Sequence, residues 1–317
     1  MKTVKIGILG LGTVGGGTYD ILQKNKEIIS KRIGAEVEVV KVLERRKRPD
    51  VPNELFTEDP DEIFNDPQID LVVETLGGIQ PASSFMVKAM QHGKHVVTAN
   101  KAAVAATYEE LQKTAKDNNV KFLFEASVGG GIPVLTAIQN ALAGNNFLEV
   151  MGIVNGTTNY ILTKMTEDGA DYAEVLKDAQ AKGFAEADPT ADVEGIDVAN
   201  KLSILIALLF DQYITPTDIP TTGISKITGK DIADAAAEGC KIKLIAHASI
   251  EDGKVTATVK PEKIAETHPL AGVSNEFNAV YITGDMVDEL MFYGKGAGAL
   301  PTGSAIVGDI LSVAKEK

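Results

Sequence analysis

The sequence predicts an α/β protein, a doubly wound parallel sheet in the first part of the chain followed by an α+β region. Three observations carry this prediction. Short apolar strands alternate with helical patterns from residue 4 to residue 124, and a G-x-G-x-x-G turn joins the first strand to the first helix. Near residue 125 the alternation stops, and later strands come in pairs separated by turn residues.

At 317 residues, with 44% hydrophobic side chains, the chain is long enough for two domains and a large core. Its formal charge of -13 argues against a nucleic-acid partner and against an anionic membrane surface. Cys240 is the only cysteine, which excludes an internal disulfide and suits a reducing, cytoplasmic setting. The start, MKTVKIGILGLGTVGGG, has lysines before an apolar run as a signal peptide does, but it lacks a small-x-small cleavage site. No apolar run reaches the length of a membrane span, so no membrane is expected as a partner.

Taken in order, Val4 to Leu9 reads as a buried strand and Gly10-Leu11-Gly12-Thr13-Val14-Gly15 as the turn, with a helical pattern running through Tyr19, Ile21, Leu22, Ile28 and Ile29. In that setting Gly10 makes the tight turn, Gly12 admits a pyrophosphate to the backbone, and Gly15 permits close helix packing, as in a Rossmann dinucleotide fold. Val37 to Leu43 is the second strand. Its end, Glu44-Arg45-Arg46-Lys47-Arg48, holds both a carboxylate suited to a ribose 2′-hydroxyl and cations suited to a 2′-phosphate. The cation run favours NADP over NAD, although such runs are commonly solvated loops.

Strands follow at Ile69 to Glu74, His95 to Thr98 and Lys121 to Phe124, separated by helices from Pro81 to Gly93 and over 107–118. Ligands of such sheets lie beyond the carboxyl ends of the strands, where Glu74-Thr75 and Thr98-Ala99-Asn100-Lys101 fall. Lys101 is therefore a candidate site residue, against the default of a surface lysine in a loop. Beyond the glycine-rich crossing at 125–133, a strand over 147–154 precedes helices near 157–166 and 171–182. Strands over 241–250 and 255–260 are joined at Asp252-Gly253, and a further hairpin is expected near Gly284-Asp285. This second region should hold a largely antiparallel or mixed sheet, and the helix after Gly303 should return to the nucleotide domain.

The chain is organised around residues 183–201, GFAEADPTADVEGIDVANK. Glu186, Asp188, Asp192, Glu194 and Asp197 cluster there, and the segment runs into VANKLSILIALLF, apolar on every side and hence a buried helix. Its one cation, Lys201, lies one turn after Asp197. It is either half of a structural ion pair, the commoner case, or a tuned proton donor. A calcium loop starting at Asp188 fails, because Thr190 and Val193 stand where that motif needs a carboxylate and a glycine. His92, His95, His247 and His268 form neither a zinc pair nor a nucleophile dyad, and Cys240 reads as a buried apolar thiol.

Together GLGTVG at 10–15, TANK at 98–101, EASVGGGIP at 125–133, GTTNYIL at 156–162, GFAEADPTADVEGIDVANKL at 183–202 and YGKGAGALPTGSAIVGDI at 293–310 resemble homoserine dehydrogenase across essentially the whole chain. The resemblance implies interconversion of L-homoserine and L-aspartate 4-semialdehyde with NADP or NAD, in threonine and methionine biosynthesis. It implies that Lys201 is the catalytic proton donor, with Lys101 as a second active-site lysine. Glu186, Asp197, Asp192 and Thr157 would bind substrate. Coenzyme contacts would come from Gly10, Gly12, Thr13, Val14, Gly15, Arg45, Thr98, Lys101 and Gly183. Glu125, Val128, Gly130 and Ile132 would hold a structural sodium ion (Na+), largely through carbonyl oxygens.

The implied division is a dinucleotide-binding domain over 1–124 and 306–317, a dimerisation region over 125–142 and 265–305, and a catalytic domain over 143–264, in a homodimer or higher oligomer. Phe184 departs from the tyrosine often found in this motif, so any role there must come from its backbone or ring packing. Many bacterial members continue into an ACT domain where this chain ends, so threonine feedback through such a module is not expected. An acylating semialdehyde dehydrogenase is a weaker match, since Cys240 lies outside every motif. The alternative from another class is a non-catalytic nucleotide-sensing module.

Overall fold

The computed structural model describes residues 2–316. The chain forms two compact units, one of residues 1–131 and 297–317 and the other of residues 132–296.

In the first unit, β1 (Lys2–Leu9) leads through the glycine turn into α1 (Thr13–Lys24) and α2 (Lys26–Ile33), then β2 (Ala35–Leu43). The helical periodicity across Ile28 is real, but Asn25 ends α1 and begins α2, so the expected single helix is two, closed at Gly34 in the left-handed region. A two-residue β3 (Phe56–Thr57) and a short α3 (Asp61–Phe64) follow, neither expected from so little apolar sequence. Then come β4 (Leu71–Glu74), α4 (Ala82–Gln91), β5 (His95–Thr98), α5 (Lys101–Ala106), α6 (Tyr108–Asp117) and β6 (Phe122–Leu123). Lys101 thus opens a helix instead of lying in a loop, and Thr107 separates α5 from α6.

The six strands are parallel, in the order β3-β2-β1-β4-β5-β6. The order reverses between β1 and β4, the position where doubly wound sheets open a crevice at their carboxyl ends. Val4, Ile6 and Ile8 of β1 and Val73 of β4 are fully buried, as strands covered on both faces must be.

In the second unit a π-helical segment, Ala137–Ala141, precedes β7 (Phe147–Ile153), α7 (Gly156–Asp168), α8 (Tyr172–Ala181), the single turn α9 (Thr190–Val193) and α10 (Ile196–Phe210). After α11 (Gly229–Ala237) come β8 (Cys240–Glu251), β9 (Lys254–Ala265), β10 (Phe277–Gly284) and β11 (Asp288–Lys295). The sheet is antiparallel throughout, ordered β11-β10-β7-β8-β9. Asp252 and Gly253 join β8 to β9 with φ of 50° and 76°, the paired left-handed residues of a tight hairpin. Helix α10 buries Val198, Leu202, Ile204, Leu205 and Ile206 completely, while Ile196 in its first turn is 50% exposed.

The C-terminal helix α12 (Ala299–Glu316) belongs to the first unit and packs along α1. Two glycines permit that approach. A Cβ on Gly17 would fall on the Ala299 carbonyl, and one on Gly303 would lie 2.8 Å from Thr18 N.

Candidate active site

In the first unit the glycine turn is held from both neighbouring strands. Gly10 has φ of 92°, donates its N–H to Leu43 O at 3.0 Å, and would press a Cβ 3.0 Å from Thr75 O. Gly15 allows no Cβ, which would strike the Gly10 carbonyl, while Thr75 Oγ1 donates to that same oxygen at 2.8 Å. Gly12 differs, since a Cβ there would meet nothing within 4 Å. Gly12 and Thr13 are exposed, Val14 is half-buried, and no side chain caps the start of α1. The unmet N–H groups and positive end of the helix suit a phosphate.

At the end of β2 the carboxylate of Glu44 accepts N–H bonds from Leu11 at 3.0 Å, Arg45 at 2.9 Å and Arg46 at 3.1 Å. Burial pushes this carboxyl up, but those three donors outweigh it and hold it below the usual range. The cations divide. Arg48 is drawn back onto α1, paired with Asp20 at 2.7 Å and Asp50 at 2.5 Å, whereas Arg45, Arg46 and Lys47 are exposed. The run that favours a 2′-phosphate therefore offers one cation fewer than its length suggests.

At the ends of β4 and β5, the hydroxyl of buried Thr98 donates to Glu74 Oε2 at 2.5 Å and accepts the Asn100 N–H at 2.9 Å. Asn100 donates to Gly78 O at 2.7 Å and caps α5 by accepting the Ala103 N–H. Half-buried Lys101 is the first residue of the helix so fixed. Burial raises the Glu74 carboxyl above its ordinary value, against the donors Thr98, Leu76 and Asn100.

In the second unit, Lys201 is 8% exposed and its Nζ donates to Asp197 Oδ2 and to Val154 O, each at 2.6 Å. Asn155 Nδ2 donates to the same Asp197 oxygen at 2.9 Å and to Asp192 Oδ1 at 2.7 Å. The Thr157 hydroxyl lies 2.6 Å from the Phe184 carbonyl and 3.2 Å from Asp192 Oδ2. Thr157, Asp192, Asp197 and Lys201 are thus one constellation.

Glu186 stands apart on the exposed stretch after α8. Its carbonyl accepts from Gln180, and its carboxylate takes no side-chain hydrogen bond among the described residues. Gly183, φ 76°, is the exposed left-handed residue that ends α8. The Phe184 carbonyl accepts from the Thr157 hydroxyl, and the Phe184 ring packs 4.8 Å from that of Tyr160. Asn155, which the sequence reading passed over, is central, and its signal was an asparagine between a strand and the helix GTTNYIL.

The segment at 125–132 is buried except for Gly131, and Gly129 and Gly130 curl it with φ of 72° and 55°. The Glu125 carbonyl receives the Val128 N–H at 3.4 Å, and the Ile132 carbonyl receives the Val134 N–H at 2.9 Å. Asp309 Oδ2 accepts the Glu125 N–H at 2.9 Å, and burial pushes its carboxyl up to about 7. Carbonyl oxygens are the ligands that suit a hard cation. No group of three or more His, Cys, Asp and Glu among the described residues is placed to hold a metal ion.

The family profile "Homoserine dehydrogenase" matches residues 133–311, and "Homoserine dehydrogenase, NAD binding domain" matches residues 10–125. The chain belongs to the homoserine dehydrogenase family. The homoserine dehydrogenase of Bacillus subtilis (strain 168) is 44% identical over 319 residues, which span 99% of this chain and 74% of that protein. A crystal structure of the homoserine dehydrogenase from Thiobacillus denitrificans superposes with a TM-score of 0.95 at 42% identity, over 99% of this chain and 74% of that one. A hyperthermophilic archaeal homoserine dehydrogenase in complex with NADPH matches with a TM-score of 0.84 at 26% identity, over 99% and 98%.

As a homoserine dehydrogenase, the chain is an oxidoreductase of amino-acid biosynthesis that interconverts L-homoserine and L-aspartate 4-semialdehyde with a nicotinamide coenzyme. That assignment sets aside the non-catalytic sensing module. Among the described residues, no helix is long and apolar enough to cross a membrane.

Proposed function

We propose that Lys201 moves the proton in this reaction, in the threonine and methionine branch of biosynthesis. The observation that carries the reading is the burial of its ammonium between a carboxylate and a backbone carbonyl, with a second carboxylate tied in through Asn155. A nicotinamide, when bound, supplies or accepts the hydride. Reduction of the aldehyde then needs a proton donor to the developing alkoxide, and oxidation of the alcohol needs that proton removed. A protonated Lys201 meets the first need and stabilises the alkoxide charge, and the deprotonated amine meets the second.

Glu186, Asp192 and Asp197 receive the substrate ammonium, with Thr157 bracing Asp192, and Lys101 receives the substrate carboxylate. The coenzyme lies at Gly10, Gly12, Thr13, Val14 and Gly15, with Thr98, Lys101 and Gly183 also in contact. NADP is preferred over NAD, with Arg45 on the 2′-phosphate. Exposed Arg45 and the prior engagement of Glu44 with three backbone N–H groups support that preference, as does the NADPH complex of the archaeal relative.

A structural Na+ at the carbonyls of Glu125, Val128, Gly130 and Ile132 is supported by the burial of these four residues. Residues 1–124 and 306–317 serve the coenzyme, 143–264 the substrate, and 125–142 with 265–305 a homodimer or higher oligomer. Exposed Met291 and Tyr293 on the edge strand β11 support self-association there. The single cysteine supports a cytoplasmic location.

The test is spectrophotometric. NADPH should be consumed only when L-aspartate 4-semialdehyde is added, and consumption independent of that aldehyde would refute the assignment.

A further inference from the structure

Asn155 joins four elements of the second unit. It follows β7 and caps α7, its Oδ1 accepting the Thr158 N–H at 2.9 Å and lying 3.0 Å from Thr158 Oγ1. Both bonds of its Nδ2 run to carboxylates, Asp192 at the end of α9 and Asp197 at the start of α10. A primary amide has two N–H donors and one accepting oxygen, and here every one is committed. The orientation is fixed by chemistry, since a flipped amide would set its oxygen against two carboxylates and its NH2 against an N–H.

We propose that Asn155 is a positioning residue for the reaction, its amide setting the spacing of Asp192 and Asp197 and holding Asp197 Oδ2 against the Lys201 ammonium. The proposal rests on the reading of Lys201 as proton donor and of the two aspartates as substrate carboxylates. Two carboxylates converging on one point repel, and a neutral group donating to both relieves the repulsion without competing as a cation. Asp197 is fixed by a buried helix, but Asp192 is half-buried on a single turn after Pro189. Without the amide donors, Asp192 is the carboxylate released. Residue 155 also fixes the carbonyl of Val154, the other acceptor of Lys201, because the two are consecutive. One side chain therefore governs the amino-group site and the aim of the ammonium.

Serine caps a helix about as well as asparagine but has a single O–H donor where the amide has two N–H groups, and aspartate keeps the cap while removing both donors and adding a negative charge at the junction. Asn155→Ser should fold, keep the wild-type KM for coenzyme, and lose about tenfold in kcat/KM for the amino-acid substrate, part of it in kcat. Asn155→Asp should lose more, about a hundredfold, and carries the comparison if the serine variant does not fold. In an Asp192→Asn background the loss from Asn155→Ser should shrink, because the bond it removes is already weakened.

Wild-type kcat and substrate KM in a folded Asn155→Ser would overturn the proposal, and so would an undiminished loss in the Asp192→Asn background. Lys201→Ala, measured alongside, separates the two readings. A normal turnover there removes the proton-donor reading itself, whereas an inactive Lys201→Ala beside a normal Asn155→Ser overturns the role of Asn155 alone.

Discussion

Lys201 Nζ and Asp197 Oδ2 lie 2.6 Å apart, one helical turn from each other on α10, with side chains 10% and 6% exposed. On a surface helix such a pair adds a few tenths of a kcal/mol. Inside an apolar helix both charges have lost water, and the pair persists only when its remaining valences are filled. Here Val154 O and Asn155 Nδ2 help to fill them. A carboxylate this close favours the charged form of an ammonium, the form that donates a proton to an alkoxide. Burial favours the neutral amine, so the two influences on this pair oppose each other.

Coenzyme choice should depend on Arg45 and not on the whole cation run. Arg45→Ala should raise the KM for NADP by about tenfold and leave that for NAD nearly unchanged, the loss of one charge-assisted contact. An equal effect on both coenzymes would remove the 2′-phosphate role. Arg48→Ala should affect both alike, since Arg48 braces α1 through Asp20.

Gly12 and Gly17 should fail in different ways when changed to alanine. A Cβ on Gly12 enters open space, so Gly12→Ala should melt like wild type and yet bind coenzyme more weakly, having a methyl where the pyrophosphate approaches. A Cβ on Gly17 meets the Ala299 carbonyl, so Gly17→Ala should cost about 1 to 3 kcal/mol of stability in urea unfolding. The reverse pattern would mean the nucleotide lies elsewhere.

Lys243 is 3% exposed, and its Nζ donates to Val273 O at 2.6 Å and Asn159 Oδ1 at 3.1 Å, both neutral. Burial pulls it down to about 8, from an unfolded value of 10.5. The folded chain therefore binds fewer protons than the unfolded chain between those values, and stability should rise with pH across that window. Below pH 8 the cost of the buried charge is fully present. Unfolding free energy measured from pH 8 to 10 should climb more steeply in wild type than in Lys243→Met; parallel curves would contradict this.

Much of this was legible in the sequence, because the signals were local. The glycine turn, the strand and helix periods and the Asp252-Gly253 hairpin each follow from neighbouring residues, and a lysine on an all-apolar helix marks itself. What escaped joins distant residues. The bonds from Asn155 span 37 and 42 residues, and Glu44 reaches back to Leu11. Arg48 is withdrawn from the cation run by Asp20, 28 residues earlier. Periodicity also runs unbroken across Asn25, so the break between α1 and α2 has no pattern to announce it.

Exchange of sodium for a large organic cation should lower activity and loosen the backbone around Glu125, seen as faster amide hydrogen exchange at 125–132. Unchanged exchange and unchanged rate would make a cation there incidental.

The most direct measurement is steady-state turnover of Lys201→Ala in both directions, with coenzyme binding followed by fluorescence. Turnover should fall by about 100- to 10,000-fold, the range for a lost proton-transfer group, while coenzyme affinity stays within about twofold. Near-normal turnover in a folded variant would leave Lys201 as a structural ion pair and place the proton donor elsewhere.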